Sequence, residues 1–177
     1  ANKDVVATHG PELFEAAQRH GGNLYFEASV AGGIPVIKSL REGLVGNRIR
    51  SIMGIINGTT NYMLTKMTRE HAPFDEVLAE AQALGYAEAD PTSDVGGYDA
   101  AYKLAILASM AFETEVPVEQ IYCEGITSIT PEDIRNAAEL GYVLKLLAIA
   151  KEGDGGIEAR VHPTLIPVNH PLASVND

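Results

Sequence analysis

The segment from Gly85 to Lys103 reads Gly-Tyr-Ala-Glu-Ala-Asp-Pro-Thr-Ser-Asp-Val-Gly-Gly-Tyr-Asp-Ala-Ala-Tyr-Lys. It sets the carboxylates of Glu88, Asp90, Asp94 and Asp99 among glycines and ends on a lysine that leads an apolar run. Such acid-rich, turn-rich sequence sacrifices local stability, which is the mark of a site more than of a scaffold. Ala100, Ala101, Leu104, Leu107, Ala108 and Met110 fit a largely buried helix that begins near Gly97 or Tyr98. Asp99 and Lys103 then share one helix face, with the acid on the N-terminal side. The preceding loop can carry Glu88 and Asp94 toward the same helix end, where the dipole favours carboxylates. The purely structural alternative is a capped helix with one surface ion pair, contributing about 0.5 kcal/mol. The apolar run from Leu104 to Phe112, interrupted only by Ser109, favours chemistry, because Lys103 then sits beside a core and is placed to exchange a proton.

This loop and helix resemble the signature of homoserine dehydrogenase, which interconverts homoserine and aspartate 4-semialdehyde with NAD or NADP. The resemblance extends, in family order, through Ala1-Asn-Lys3, Phe26-Glu-Ala-Ser-Val-Ala-Gly-Gly-Ile-Pro-Val-Ile37 and Gly54-Ile-Ile-Asn-Gly-Thr-Thr-Asn61. It implies that Lys103 is the catalytic lysine, exchanging a proton with the substrate hydroxyl. Glu88 and Asp99 would hold the amino acid substrate, mainly through its ammonium group. Asp94 would support the lysine, and Thr59 would line the substrate pocket. Gly85 would lay its backbone against the nicotinamide cofactor, with Lys3 at the junction of cofactor and substrate. Glu27, with the backbone carbonyls of Val30, Gly32 and Ile34, would form a sodium site. The resemblance also implies cytoplasmic amino-acid biosynthesis, toward threonine, methionine and isoleucine, by a homodimer that pairs through its sheet.

These roles agree with the chemistry of the residue types. Hydride removal from an alcohol carbon requires the hydroxyl proton to leave as the carbonyl forms, so a base must lie within hydrogen-bond reach. Paired carboxylates suit an ammonium in a pocket where an unpaired charge is costly. The Val30–Ile34 stretch can turn several carbonyls toward one hard cation, although a plain strand-to-helix turn without an ion explains it equally well.

Composition narrows the classes. Hydrophobic residues make up 46% against 21% charged, the balance of a globular chain. A net charge of −11 with only 13 basic residues and no basic run argues against nucleic acid as a partner. The Leu104–Phe112 run is too short to span a membrane. No signal peptide is visible, and the first residue is not methionine. A lone cysteine, Cys123, fits a reducing cytosol and reads as buried filler more readily than as a nucleophile. His9, His20, His71, His162 and His170 show no metal-ligand spacing.

The sequence pattern predicts an α+β fold, with helices on one face of a mixed, largely antiparallel sheet of four or more strands. Helices are expected at Pro11–His20, Ile34–Glu42, from Thr59 or Thr60 to Arg69, Asp75–Leu84 and from Thr130 to Leu140. Strands are expected at Asn23–Ala28 and Arg48–Ile56. The apolar runs Tyr142–Lys151 and Ile157–Pro167, separated by Glu152-Gly-Asp-Gly-Gly156, predict a hairpin. Prolines 163, 167 and 171 predict an extended, poorly ordered tail from His162 onward.

No G-x-G-x-x-G occurs, so the phosphate-binding turn of a dinucleotide fold is missing from these residues. In the family, Ala1-Asn-Lys3 lies at the end of the nucleotide-binding domain, and a later glycine-rich segment returns to the cofactor. The expectation is therefore one substrate-binding and dimerisation region, residues 1–177, with weak cofactor binding and negligible turnover by itself. Two other classes compete: a dimerisation or amino-acid-sensing module that keeps the pocket without the chemistry, and a dehydrogenase of another small acid. The Glu88 and Asp99 pair speaks against the latter, whose ligand lacks a cation.

Overall fold

The computed structural model describes residues 1–176. Helices α1 (Lys3–Arg19), α2 (Val36–Lys38), α3 (Gly58–Glu70), α4 (Phe74–Ala83), α5 (Thr92–Val95), α6 (Tyr98–Ala111) and α7 (Pro131–Glu139) accompany strands β1 (Ser51–Gly54), β2 (Tyr122–Cys123), β3 (Tyr142–Gly153) and β4 (Gly156–Pro167). The four strands form one sheet in the order β1-β3-β4-β2, so the fold is α+β. The chain divides into two compact units that interleave along the sequence. The first holds Ala1–Ile52, Ala101–Tyr122 and Ile149–Arg160, and the second holds Met53–Ala100, Cys123–Ala148 and Val161–Asp177.

In the first unit, Val6, Phe26, Val30, Ile37, Ile106 and Leu107 form a buried cluster, extended by Leu24, Leu40, Ile52 and Met110. Each such side chain contributes roughly 1.5–3 kcal/mol through burial. In the second unit, Met63, Leu64 and Met67 of α3 are fully buried, as are Val77 and Ala81 of α4. Helix α3 packs against α4, α5 and α7 and is the spine of that unit.

Several elements follow the pattern read from sequence. Helix α6 starts at Tyr98 and buries Leu104 through Ala108. Helix α7 opens with a capping box, in which Thr130 Oγ1 accepts the Asp133 N–H at 3.1 Å and Asp133 accepts the Thr130 N–H at 2.9 Å. Strands β3 and β4 meet at the expected turn. Others differ, for local reasons. Helix α1 begins at Lys3 instead of Pro11, because Asn2 caps it by accepting the Asp4 N–H at 3.0 Å. Proline does bend the chain, since His9 (φ −126°, ψ 20°) kinks the helix just before Pro11.

Asn23–Ala28 forms no strand. Its carbonyl at Tyr25 accepts from the Ala1 amine at 2.7 Å, and a 3₁₀ turn at Glu27–Ser29 follows. The helix expected at Ile34–Glu42 is shorter, with Pro35 ahead of α2 and a widened π-type turn over Ser39–Gly43. The strand expected across Arg48–Ile56 is confined to Ser51–Gly54. Asn57 caps α3, in place of Thr59 or Thr60. The tail is ordered further than predicted: β4 continues to Pro167, and a 3₁₀ turn at Pro171–Ser174 buries Ala173.

Candidate active site

Asn57 is the hub of the second unit's polar cluster. Its backbone is extended (φ −125°, ψ 118°), and its Oδ1 accepts both the Thr60 N–H and the Thr60 hydroxyl at 2.8 Å. A backbone N–H can only donate, so the amide must turn its NH2 the other way. There it donates to Asp94 Oδ1 at 2.6 Å and to Asp99 Oδ2 at 2.9 Å. Asn57 is 5% exposed and Asp99 7%, so these bonds form largely out of water, where they are strong. Asp94 lies in α5 and Asp99 in the first turn of α6, and the amide ties the two acids together across Gly96-Gly97.

Gly85 closes α4. Its φ of 79° is the left-handed value a helix stop requires, with the Tyr86 N–H donating to Ala81 O at 2.8 Å. A Cβ at Gly85 would meet no atom within 4 Å, so its backbone is open to an approaching ring. Thr59 is tied to the same stop, its hydroxyl donating to Tyr86 O at 2.8 Å. The carbonyl of Glu88 accepts from Gln82 Nε2 at 3.0 Å, while Glu88 itself is exposed. Asp90 Oδ1 accepts the Thr92 N–H at 3.1 Å ahead of α5. The Thr92 hydroxyl and N–H hold its carboxyl below the ordinary range.

The structure thus brings Asp94 and Asp99 together and joins Thr59 to the Gly85 turn, all in the second unit. Lys103 and Lys3 belong to the first unit. Lys103 is half-buried on α6, one helical turn after Asp99. Lys3, in the first turn of α1, lies 3.7 Å from Asp4.

The Glu27 segment is also within the first unit, and it caps a helix. Both Glu27 carboxylate oxygens accept backbone N–H groups, from Ile37 and Lys38, each at 2.8 Å. The Ile34 carbonyl accepts the Val36 N–H at 2.8 Å, with Pro35 (φ −79°, ψ 62°) at the centre of an inverse γ-turn. Gly32 sits at φ 58° within the same loop, and Val30 is buried. Among the described residues, no group of three or more His, Cys, Asp and Glu side chains forms a metal centre. A cavity of about 300 Å³ in this unit, lined by Val6, Gly10, Phe14, Phe26, Ile106 and Met110, contains none of the candidate catalytic, substrate, cofactor or ion-site residues.

Two functional-looking groups escaped the sequence reading. Asn57 carried a signal, because Asn-Gly-Thr-Thr ahead of a helix is a capping pattern. Its reach to acids 37 and 42 residues away carried none. Lys145 is 1% exposed in β3, and nothing in its apolar run marks it out. Its three ammonium hydrogens are shared among four acceptors, Asn61 Oδ1 at 2.9 Å, Thr65 Oγ1 at 3.2 Å, Val175 O at 2.6 Å and Asn176 Oδ1 at 3.2 Å.

Comparison with known proteins places this geometry in context. The family model for homoserine dehydrogenase matches residues 35–177. The chain is 59% identical to a homoserine dehydrogenase of Synechocystis and 54% identical to that of Bacillus subtilis, over 99% and 100% of its length. It spans 42% and 41% of those relatives. A crystal structure of a homoserine dehydrogenase from Thiobacillus denitrificans superposes with a TM-score of 0.97 at 56% identity, over 99% of this chain and 41% of that one. A hyperthermophilic archaeal homoserine dehydrogenase mutant in complex with NADPH gives a TM-score of 0.82 at 31% identity, over 99% of this chain and 50% of the other.

Proposed function

We propose, for a chain that belongs to the homoserine dehydrogenase family, that it is the substrate-binding and catalytic region of an enzyme interconverting L-homoserine and L-aspartate 4-semialdehyde. The observation that carries the proposal is the pairing of Asp94 and Asp99 through Asn57, one helical turn before Lys103 on α6. Carboxylates gathered at a partly buried helix end suit an ammonium group, which homoserine has and a plain hydroxy acid lacks. Asp99 and the exposed Glu88 take the substrate ammonium, Asp94 supports Lys103, and Thr59 lines the pocket.

Lys103 withdraws the hydroxyl proton as the carbonyl forms, and returns it in the reverse direction. NAD or NADP, when bound, supplies the hydride acceptor. Gly85, whose open backbone suits close approach of a flat ring, and Lys3 are the residues assigned to hold it. Glu27 and the carbonyls of Val30, Gly32 and Ile34 are the candidate sodium site. Because Glu27 already accepts two amide hydrogens, an ion there would share a carboxylate that caps α2. Each strand leaves one large apolar side chain exposed, namely Met53, Tyr122, Tyr142 and Leu165, which supports a homodimer through the sheet. Among the described residues, no helix is long and apolar enough to cross a membrane. We assign the protein to the cytoplasm and to amino-acid biosynthesis toward threonine, methionine and isoleucine.

Replacing Lys103 by Ala in the full-length enzyme tests the reading. Loss of a general base lowers kcat by about 10²- to 10⁴-fold with substrate affinity little changed. A Lys103→Ala enzyme that retains wild-type kcat overturns the assignment. The 177 residues alone, lacking G-x-G-x-x-G, are expected to show negligible homoserine oxidation with either cofactor. Steady turnover by them would contradict that.

A further inference from the structure

We propose that Tyr62 is a positioning residue for the cofactor: its ring, stacked on that of Tyr86, holds the Gly85 turn where the nicotinamide meets it. The inference rests on the cofactor role given to Gly85 above. Thr59, Tyr62 and Lys66 stand at i, i+3 and i+7 on α3, so they share one face of that helix. All three reach the end of α4. The Thr59 hydroxyl donates to Tyr86 O at 2.8 Å. The centroids of the Tyr62 and Tyr86 rings lie 4.6 Å apart, with the planes tilted by 32°. Lys66 Nζ donates to Glu80 Oε1 at 2.5 Å, and the same oxygen accepts the Tyr62 hydroxyl at 3.4 Å.

These contacts do what the hydrogen bonds of the turn itself do not. The N–H of Gly85 donates to Gln82 O, and those of Tyr86 and Ala87 donate to Ala81 O, which ties the turn to α4 alone. Where Gly85 sits relative to Thr59, and so the nicotinamide relative to the substrate, depends on what joins the end of α4 to α3. Gly85 has no side chain, and Leu84 and Tyr86 are each 58% exposed, so these residues give the turn little anchorage in the core. The Thr59 bond fixes one carbonyl, about which the turn could still pivot. The ring stack supplies a second point and stops that pivot. Tyr62 is the fixed member of the pair, half-buried on a helix whose Met63, Leu64 and Met67 are fully buried.

The test is steady-state kinetics of the full-length enzyme with L-homoserine and NAD or NADP, comparing Tyr62→Leu with Tyr62→Phe. Leucine keeps an apolar side chain on α3 but removes the stack. Phenylalanine keeps the stack and loses only a hydroxyl whose 3.4 Å bond is weak. Without the stack, fewer molecules hold the turn ready for cofactor, and apparent affinity falls by that fraction. The expected result in Tyr62→Leu is a cofactor KM raised about 3- to 10-fold, the equivalent of one aromatic pair. The homoserine KM should stay within about twofold, and Tyr62→Phe should behave as wild type. A merely structural role would lower the melting temperature without separating the two KM values. A cofactor KM raised less than about threefold in Tyr62→Leu, or raised equally in Tyr62→Phe, overturns the inference. If Tyr62→Leu fails to fold, Tyr86→Leu decides the matter, since it removes the other ring from an exposed position. It should raise the cofactor KM by the same factor, and an unchanged value overturns the inference. Gly85→Ala separates the inference from the reading beneath it, because its methyl would stand in open space on the face given to the nicotinamide. An unchanged cofactor KM in Gly85→Ala sinks the cofactor role of Gly85 and this inference with it. A raised value there, beside a normal one in Tyr62→Leu, overturns the inference alone.

Discussion

Gly125 controls how closely the turn ahead of Asp99 can pack, and replacing it by Ala should loosen that turn. A Cβ there would lie 2.1 Å from the Val95 carbonyl oxygen, 2.7 Å from Gly96 Cα and 2.9 Å from the Gly96 carbonyl carbon. All three atoms are backbone, so no rotamer change relieves the clash. Ordinary contact between carbon atoms is about 3.5 Å, so the two segments must part by roughly 1 Å. The same Val95 carbonyl accepts the Ile126 N–H at 2.8 Å, and that bond stretches or breaks as they part. Overpacking costs about 1–3 kcal/mol and the lost bond about 0.5–1.5 kcal/mol, together roughly 2–4 kcal/mol. For a chain of this size, the melting temperature should fall by about 4–15 °C. Thermal unfolding of Gly125→Ala followed by circular dichroism measures this directly. A midpoint within about 2 °C of wild type would show that the segments separate freely, and the reasoning would be wrong.

Two further outcomes follow from named contacts. Lys145→Met leaves Asn61, Thr65, Val175 and Asn176 without their shared donor, and should lower stability to urea by about 2–4 kcal/mol; an unchanged midpoint would count against the ammonium's structural role. The Thr130 hydroxyl and then its N–H hold the Asp133 carboxyl below its ordinary value, so this capping box stabilises above about pH 4 and its contribution is lost as pH falls through the lowered value. Melts of wild type and Asp133→Asn should therefore differ at pH 6 and converge in strong acid, whereas a difference that grows on acidification contradicts the assignment.

Local signals were readable in the sequence and distant pairings were not. The α6 pattern, the Asp99–Lys103 spacing, the capping box at Thr130 and the turn after Glu152 each depend on neighbours within a few residues. Asn23–Ala28 misled because its apolar character suits a strand, yet strand formation needs a partner, and its Tyr25 carbonyl is taken by the Ala1 amine. Pro11 predicts a helix start because proline favours the first turn. The Asn2 cap upstream could outweigh it, at the cost of a kink at His9. In the site, the acids stood out by type. The amide that bonds to two of them did not, since Asn57 is separated from Asp94 by 37 residues and the contact forms only on tertiary folding. Lys145 was hidden for the same reason, 84 residues from Asn61.

The central claim is that Asp99 and Glu88 recognise a positive charge on the substrate. Comparing kcat/KM of the full-length enzyme for L-homoserine and for 4-hydroxybutyrate, which keeps the hydroxyl and carboxylate but lacks the ammonium, tests it directly. Losing charge-assisted hydrogen bonds to two carboxylates costs about 3–6 kcal/mol, so 4-hydroxybutyrate should be oxidised at least about 100-fold less efficiently. Efficiencies within about tenfold of each other would mean that the acids do not bind the ammonium.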